Sequence, residues 1–145
     1  MKTNRVVIII LITLMICLGL VSDLGAGQAY NLNGKWDAVI AYRGAISGSS
    51  TNEKDIIKIS QQGDQFVGIK TIGGKFVGKN EEMIKGKLLN RMVDEAFVRY
   101  AHDPITFDLS WSDGRATITE EGNKIVVQSF IPSIPAFVTI TMTRK

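Results

Sequence analysis

Cysteine and histidine are almost absent from this sequence, since each occurs once, at Cys17 and His102. A chain with so few thiols and imidazoles offers no zinc site and no disulfide framework, and its carboxylates are scattered through predicted turns. Pro104 follows His102-Asp103, and no nucleophile is tied to this pair by a motif, which favours a solvated turn over a general base. The sequence therefore predicts no metal site, no cofactor and no enzymatic activity.

A strong excess of one charge is also lacking. Lysine and arginine total 17 against 14 aspartates and glutamates, which gives a formal net charge of +3. Such a small excess provides little electrostatic attraction to nucleic acid or to a membrane surface. We therefore expect the folded domain to have neither nucleic acid nor membrane as a partner.

Long apolar runs are confined to the N-terminus. A basic start is followed by an apolar run from Val6 to Val21 and then by small residues up to Ala29. This order is typical of a secretory signal peptide. We predict that residues 1–29 are removed, with Ala26 as a second cleavage position, and that the protein is periplasmic or secreted. The alternative is an uncleaved anchor, for which the run is at the short end.

Residues 30–145 have the pattern of a single all-β domain. Between 33 and 42, Trp36, Ala38, Ile40 and Tyr42 fall on one face at period two, as in a strand with one buried side. Seven further strands are predicted at 55–62, 65–72, 82–89, 105–112, 115–120, 124–130 and 136–144. Tight turns such as Asp113-Gly114 join neighbouring strands. We predict an eight-stranded antiparallel up-and-down barrel.

Residues 90–101 fit two patterns. Leu89, Met92, Val93, Ala96, Phe97 and Tyr100 recur at helical spacing, whereas alternate residues from Val93 to Arg99 would share a strand face. A closed up-and-down barrel needs an even number of strands, and eight are found without this segment. We therefore predict a short helix near 90–101. An enzyme would need a polar cluster inside the barrel, and Glu95, Arg99 and His102 are candidates only if this segment is a strand.

The motif Gly34-Lys35-Trp36, together with Arg144 near the end of the last predicted strand, resembles the calycin superfamily, which includes lipocalins and avidins. The resemblance implies a lipocalin-like or avidin-like barrel in which the arginine lies across the indole where the first and last strands meet. Gly34, Trp36 and Arg144 are then structural closure residues. The resemblance also implies a non-enzymatic protein that binds a small, mostly apolar molecule.

Four residues are candidates for such a ligand site: Tyr42, Phe107, Trp111 and Ser129. An eight-stranded barrel has just enough room for one small molecule. Tyr42 lies at the far end of the first strand from Trp36, so its hydroxyl is the expected polar anchor, while Phe107 and Trp111 are expected to face inward. The alternative is that these aromatic side chains simply fill the core.

The stretch from Phe130 to Phe137 is apolar around two prolines, where surface loops are normally polar. Its candidate interaction residues are Phe130, Ile131, Ile134 and Phe137. They could form a lid over the barrel, an interface with a second copy or another protein, or a plug against the predicted helix. The alternative function is therefore a protein-interaction module, such as an inhibitor or envelope accessory subunit, that has a solid core and uses this stretch or the loop 44–52.

Overall fold

Eight antiparallel strands pair in sequence order, and the eighth pairs with the first, so the sheet closes into a barrel. The computed structural model describes residues 30–101 and 108–145, and the predicted signal segment 1–29 lies outside these ranges. The strands are β1 (Gly34–Gly44), β2 (Ser50–Gln62), β3 (Gln65–Lys70), β4 (Glu82–Leu89), β5 (Met92–Ala101), β6 (Leu109–Thr119), β7 (Lys124–Ile131) and β8 (Ala136–Arg144). The predicted eight-stranded up-and-down barrel is confirmed.

The inner face of the barrel holds the hydrophobic core. Side chains alternate between inside and outside along the strands, and those on the inside form one continuous cluster. Its fully buried members include Leu32, Trp36, Ile40, Ile57, Met83, Val98, Ile125, Ile131, Ile140 and Met142. Full burial of such a side chain is worth about 1.5–3 kcal/mol, so the cluster stabilises the closed sheet.

The two ends of the barrel are covered in different ways. At the closed end, residues 30–33 cross the opening, and the N–H of Leu32 donates to Oε1 of Gln61 over 2.7 Å. The opposite end, which we call the mouth, carries the connections 45–49, 71–81 and 132–135. The connection 71–81, named here the mouth segment, places Val77 in the buried cluster. No helix in the described ranges is long and apolar enough to cross a lipid bilayer.

The segment predicted to be a short helix near 90–101 is strand β5 instead. Asn90 lies in the two-residue turn between β4 and β5, and its φ of 57° is the left-handed conformation that asparagine tolerates in hairpin turns. The pairing register between β4 and β5 then shifts between Lys87 and Leu88, and this shift is a β-bulge. Because of it, Val93 and Ala96 both pack on the core although they are three residues apart. The bulge therefore explains the three-residue spacing of Val93 and Ala96, whereas Leu89 and Met92 of the same pattern are exposed.

The turn predicted at Asp113-Gly114 is the middle of a strand. Gly114 pairs with Ala96 in β5 and with Ser129 in β7, so the two strands predicted on either side of the turn are the single strand β6. An Asp-Gly pair favours a hairpin locally, but here continuous pairing to both neighbours outweighs that preference. One predicted helix is thus a strand, and two predicted strands are a single strand. The predicted total of eight strands is therefore unchanged.

Candidate functional site

Trp36 and Arg144 meet at the closed end. They are paired in register across β1 and β8, and the guanidinium carbon of Arg144 lies 4.7 Å from the centre of the Trp36 ring. The guanidinium also donates to the carbonyl oxygens of Asn31 and Asn33. Gly34 has a φ of 129°, in the region that favours glycine. Arg144 therefore lies across the Trp36 indole at the place where β1 and β8 meet, which is the arrangement expected of closure residues.

Trp111 lies on the outer face of the barrel. Ala116 and Ile118 pair with the inward residues of β7, and without a turn at Asp113-Gly114 the alternation runs unbroken, so Trp111 points outward. There the Nζ of Lys85 lies 4.2 Å from the centre of its ring, and the guanidinium of Arg99 lies 5.5 Å from it. The inward orientation predicted for Trp111 is therefore wrong.

Two other candidates, Tyr42 and Ser129, do face inward. The Tyr42 ring packs against Phe76 of the mouth segment, with 4.6 Å between the ring centres. Its hydroxyl is buried without a hydrogen-bond partner among the described residues, and burial raises the pKa of Tyr42 well above its usual range. The Ser129 hydroxyl donates to the carbonyl oxygen of Asp113 over 2.7 Å. Phe107 lies outside the described residues, and of the predicted ligand-site residues within them, Tyr42 and Ser129 are those on the inner face.

A buried ionic cluster, which the sequence pattern did not predict, lies beneath the mouth segment. The ammonium of Lys70 is fully buried, 3.0 Å from Oε2 of Glu53 and 3.7 Å from Oδ2 of Asp55. The two acids share the inward parity of Ile57 in β2, and Lys70 shares the inward parity of Phe66 in β3. The alternation of Ile57 and Ile59 extends to both acids, whereas Val67 and Ile69 of β3 favour the opposite parity, so the apolar pattern does not predict that Lys70 faces inward.

The ionic cluster also holds the mouth segment in place. The carboxylate of Asp55 accepts hydrogen bonds from the N–H groups of Thr71 and Ile72, both at 3.1 Å, and from that of Gly73 at 2.9 Å. Glu53 accepts one from the N–H of Lys75 at 2.8 Å. A carboxylate that receives several backbone donors fixes their conformation. The mouth segment therefore lies closed over the barrel.

A groove of about 910 Å³ lies on the outer wall, across β1, β8, β7 and β6. We name it the outer groove. Phe130 and Phe137 are paired across β7 and β8, with ring centres 5.1 Å apart, and remain 44% and 51% exposed. The other two predicted interaction residues are not part of this surface. Ile131 faces the core and is fully buried, which corrects its assignment to a surface, and Ile134 packs against the core cluster.

The outer groove also carries two unpaired cations. Arg43 of β1 and Arg115 of β6 line it, together with one carboxylate, Asp113. Within the described part of the chain, neither guanidinium forms an ion pair or hydrogen bond with another residue. The groove therefore combines an aromatic pair with an excess of positive charge.

Of the three residues predicted as members of an enzymatic polar cluster, the two in the described ranges, Glu95 and Arg99, do not face the interior. Although 90–101 is a strand, Arg99 lies on the outer face and pairs with Glu81 at 3.4 Å, and Glu95 is exposed. His102 lies outside the described residues. Within residues 30–101 and 108–145, no three histidine or acidic side chains come together as metal ligands.

The described geometry thus offers two surfaces with binding chemistry, the outer groove and the covered mouth. Comparison of the sequence with protein-family models finds no match, and comparison with curated proteins finds none either. The architecture is compatible with a calycin-like fold, and it is an eight-stranded closed antiparallel barrel.

Proposed function

We propose that this protein is a non-catalytic binding module that recognises a partner protein through the outer groove. The observation that carries the proposal is the exposed pair Phe130 and Phe137 inside a concave region with polar and charged edges. Single exposed apolar residues are ordinary on protein surfaces, whereas an aromatic centre with a polar rim is typical of interaction surfaces. The pair therefore favours a working surface on the outer wall.

The packing of the interior supports the same proposal. The inward side chains form a continuous buried cluster, and Phe76 and Val77 of the mouth segment pack against it. The outer groove, in contrast, is open along four strands and needs no rearrangement to receive a partner. A preformed surface avoids the free-energy cost of opening a closed site.

The proposal also includes the cellular location in which the protein binds its partner. The predicted signal segment 1–29 would deliver the barrel to the periplasm or the extracellular space. An inhibitor or an accessory subunit of the cell envelope works there without chemistry of its own. Such a role requires only a stable barrel and one recognition surface.

Site-specific photo-crosslinking in the source organism tests the proposal. A photoreactive amino acid at Thr139, which lines the outer groove, should give one adduct whose partner is identified by mass spectrometry. The same amino acid at Met92, 66% exposed and at the closed end, is the control and should not give that adduct. The identified partner is then purified, and its affinity is measured by calorimetry.

Phe137→Asp should weaken this affinity at least about tenfold, because removal of an aromatic hot-spot residue from the centre of an interface costs about 2 kcal/mol or more. Met92→Asp should leave the affinity unchanged. Since both side chains point outward, both variants should keep the wild-type melting temperature within a few degrees. The proposal is refuted if no adduct forms at Thr139, if the adduct contains only a second copy of the chain, or if Phe137→Asp does not weaken binding.

A second candidate function is the binding of a small, mostly apolar molecule inside the barrel. The Tyr42 hydroxyl favours it, because a buried polar group without a partner is uncommon in proteins and a ligand could supply one. Native mass spectrometry of protein purified from its source should then show a bound molecule that is absent from Tyr42→Phe. An empty barrel, with no change of melting temperature across a lipid and vitamin panel, would refute this function.

A further inference from the structure

We infer that the segment recognised by the outer groove is extended and acidic, with a carboxylate on each side of one apolar side chain. This inference rests on the proposed function and specifies the chemistry of the partner. It depends on three observations: the unpaired arginines, their separation across the sheet, and the aromatic pair between them.

The two arginines of the outer groove differ from the other arginines in the described ranges. Arg99 pairs with Glu81 at 3.4 Å, Arg144 lies over Trp36 and donates to backbone carbonyls, and Arg91 lies 5.6 Å from the centre of the Tyr30 ring. Only the pair that lines the groove has no such contact. Guanidinium groups bind carboxylates with two parallel hydrogen bonds, so an acidic ligand would satisfy donors that the barrel leaves free.

The spacing of the arginines fits an extended segment. Arg43 lies on β1 and Arg115 on β6, with β8 and β7 between them. Arg115 pairs with Gln128, two residues from Phe130, so three strand spacings and this offset place the two arginines about 16 Å apart along the sheet. In an extended chain, side chains i and i+4 lie on the same face and about 13 Å apart. Carboxylates at i and i+4 could therefore reach both guanidinium groups at the same time.

The aromatic pair lies between the arginines. Phe137 is paired with Arg43 across β8 and β1, and Phe130 is the partner of Phe137 on β7. In an extended segment, residue i+2 shares the face of i and i+4 and lies midway between them. An apolar side chain at i+2 would contact the two rings. Asp113 precedes Gly114, the partner of Ser129, so this carboxylate lies beside Phe130, and Arg115 lies two residues further along β6. The groove still carries two cations against one carboxylate, so its charge favours an acidic segment.

Three heptapeptides test this inference on the purified protein. GESLSEG carries the predicted pattern, GKSLSKG reverses its charges, and GSELESG places the acids on the opposite face from the leucine. Binding is followed by NMR chemical-shift perturbation of the groove residues. GESLSEG should bind about tenfold more tightly than either control, and its affinity should fall as salt is added. The double variant Arg43→Glu, Arg115→Glu should prefer GKSLSKG instead.

Each other outcome of this experiment overturns the inference. It fails if GESLSEG causes no groove shifts at millimolar concentration, or if the three peptides bind equally. It also fails if vesicles containing anionic lipid bind more tightly than GESLSEG with the same dependence on the two arginines. If Phe137→Asp releases the crosslinked partner while the double arginine variant retains it, the proposed function stands and only the acidic partner segment is wrong.

Discussion

Lys70→Met should lower the free energy of unfolding of this barrel much more than the same substitution at an exposed lysine. The ammonium of Lys70 is fully buried and neutralises Asp55, whose side chain is also fully buried. Methionine has nearly the same length, so the change removes a charge and leaves little cavity. Removal of one partner from a buried ion pair typically costs about 3–5 kcal/mol, because the other charge remains without compensation. Domains of this size are stable by only about 5–15 kcal/mol.

Urea unfolding followed by circular dichroism measures this cost. The midpoint should fall with an unchanged m value, and the melting temperature should drop by about 10–20 °C. Lys87→Met is the matched control, because Lys87 lies 3.6 Å from Asp64 in an exposed ion pair. That control should cost less than about 1 kcal/mol. Equal costs for the two substitutions would show that the buried charges do not stabilise the barrel.

Three further substitutions test the buried tyrosine, the closure of the barrel and a close contact of a strand glycine. Because burial raises the pKa of Tyr42 above its unfolded value of about 10, its contribution to stability is present below that pH and is lost as the pH rises through the folded value. Tyr42→Phe should therefore flatten the alkaline loss of stability in urea titrations, and a slope equal to that of the wild type would contradict this. Arg144→Lys should cost about 0.5–2 kcal/mol in urea unfolding, since it loses the ring contact and the forked donors; an unchanged midpoint would contradict the closure role. Gly86→Ala should cost about 1–3 kcal/mol, because its Cβ would lie 2.3 Å from the carbonyl oxygen of Glu95, whereas Gly78→Ala has room and should be nearly neutral in the same assay.

Period-two alternation was sufficient to predict most of the barrel. It identified the inward face of β1, and Arg144 near the end of β8 lies against Trp36 as predicted. The prediction failed where local pattern and tertiary pairing disagree. At β5 a bulge brings Val93 and Ala96 to the same face, and at β6 an Asp-Gly pair lies within a strand paired on both sides. Neither effect can be derived from local sequence, because each depends on the neighbouring strands.

The candidate sites were predictable in the same uneven way. Phe130 and Phe137 were identified because apolar residues next to prolines are unusual on a surface. Arg43 and Arg115 line the same groove as the two phenylalanines because of the strand order around the closed sheet, which brings together residues far apart in the sequence. Glu53 and Asp55 follow the parity of Ile57 in β2, but charged residues are rarely expected inside a barrel. The apolar Val67 and Ile69 of β3 favour the opposite face for Lys70, so the pairing of the three charges required the structure.

The register of β1 against β8 has a practical consequence for engineering. Residues 30–33 and Lys145 lie at the same end, where the N–H of Lys145 donates to the carbonyl oxygen of Lys35 over 3.2 Å. A short linker could therefore join residue 145 to residue 30, and new termini could be opened in the Gly63-Asp64 turn. A circular permutant built in this way would retain every strand pairing while leaving the mouth and the outer groove free of attached tags.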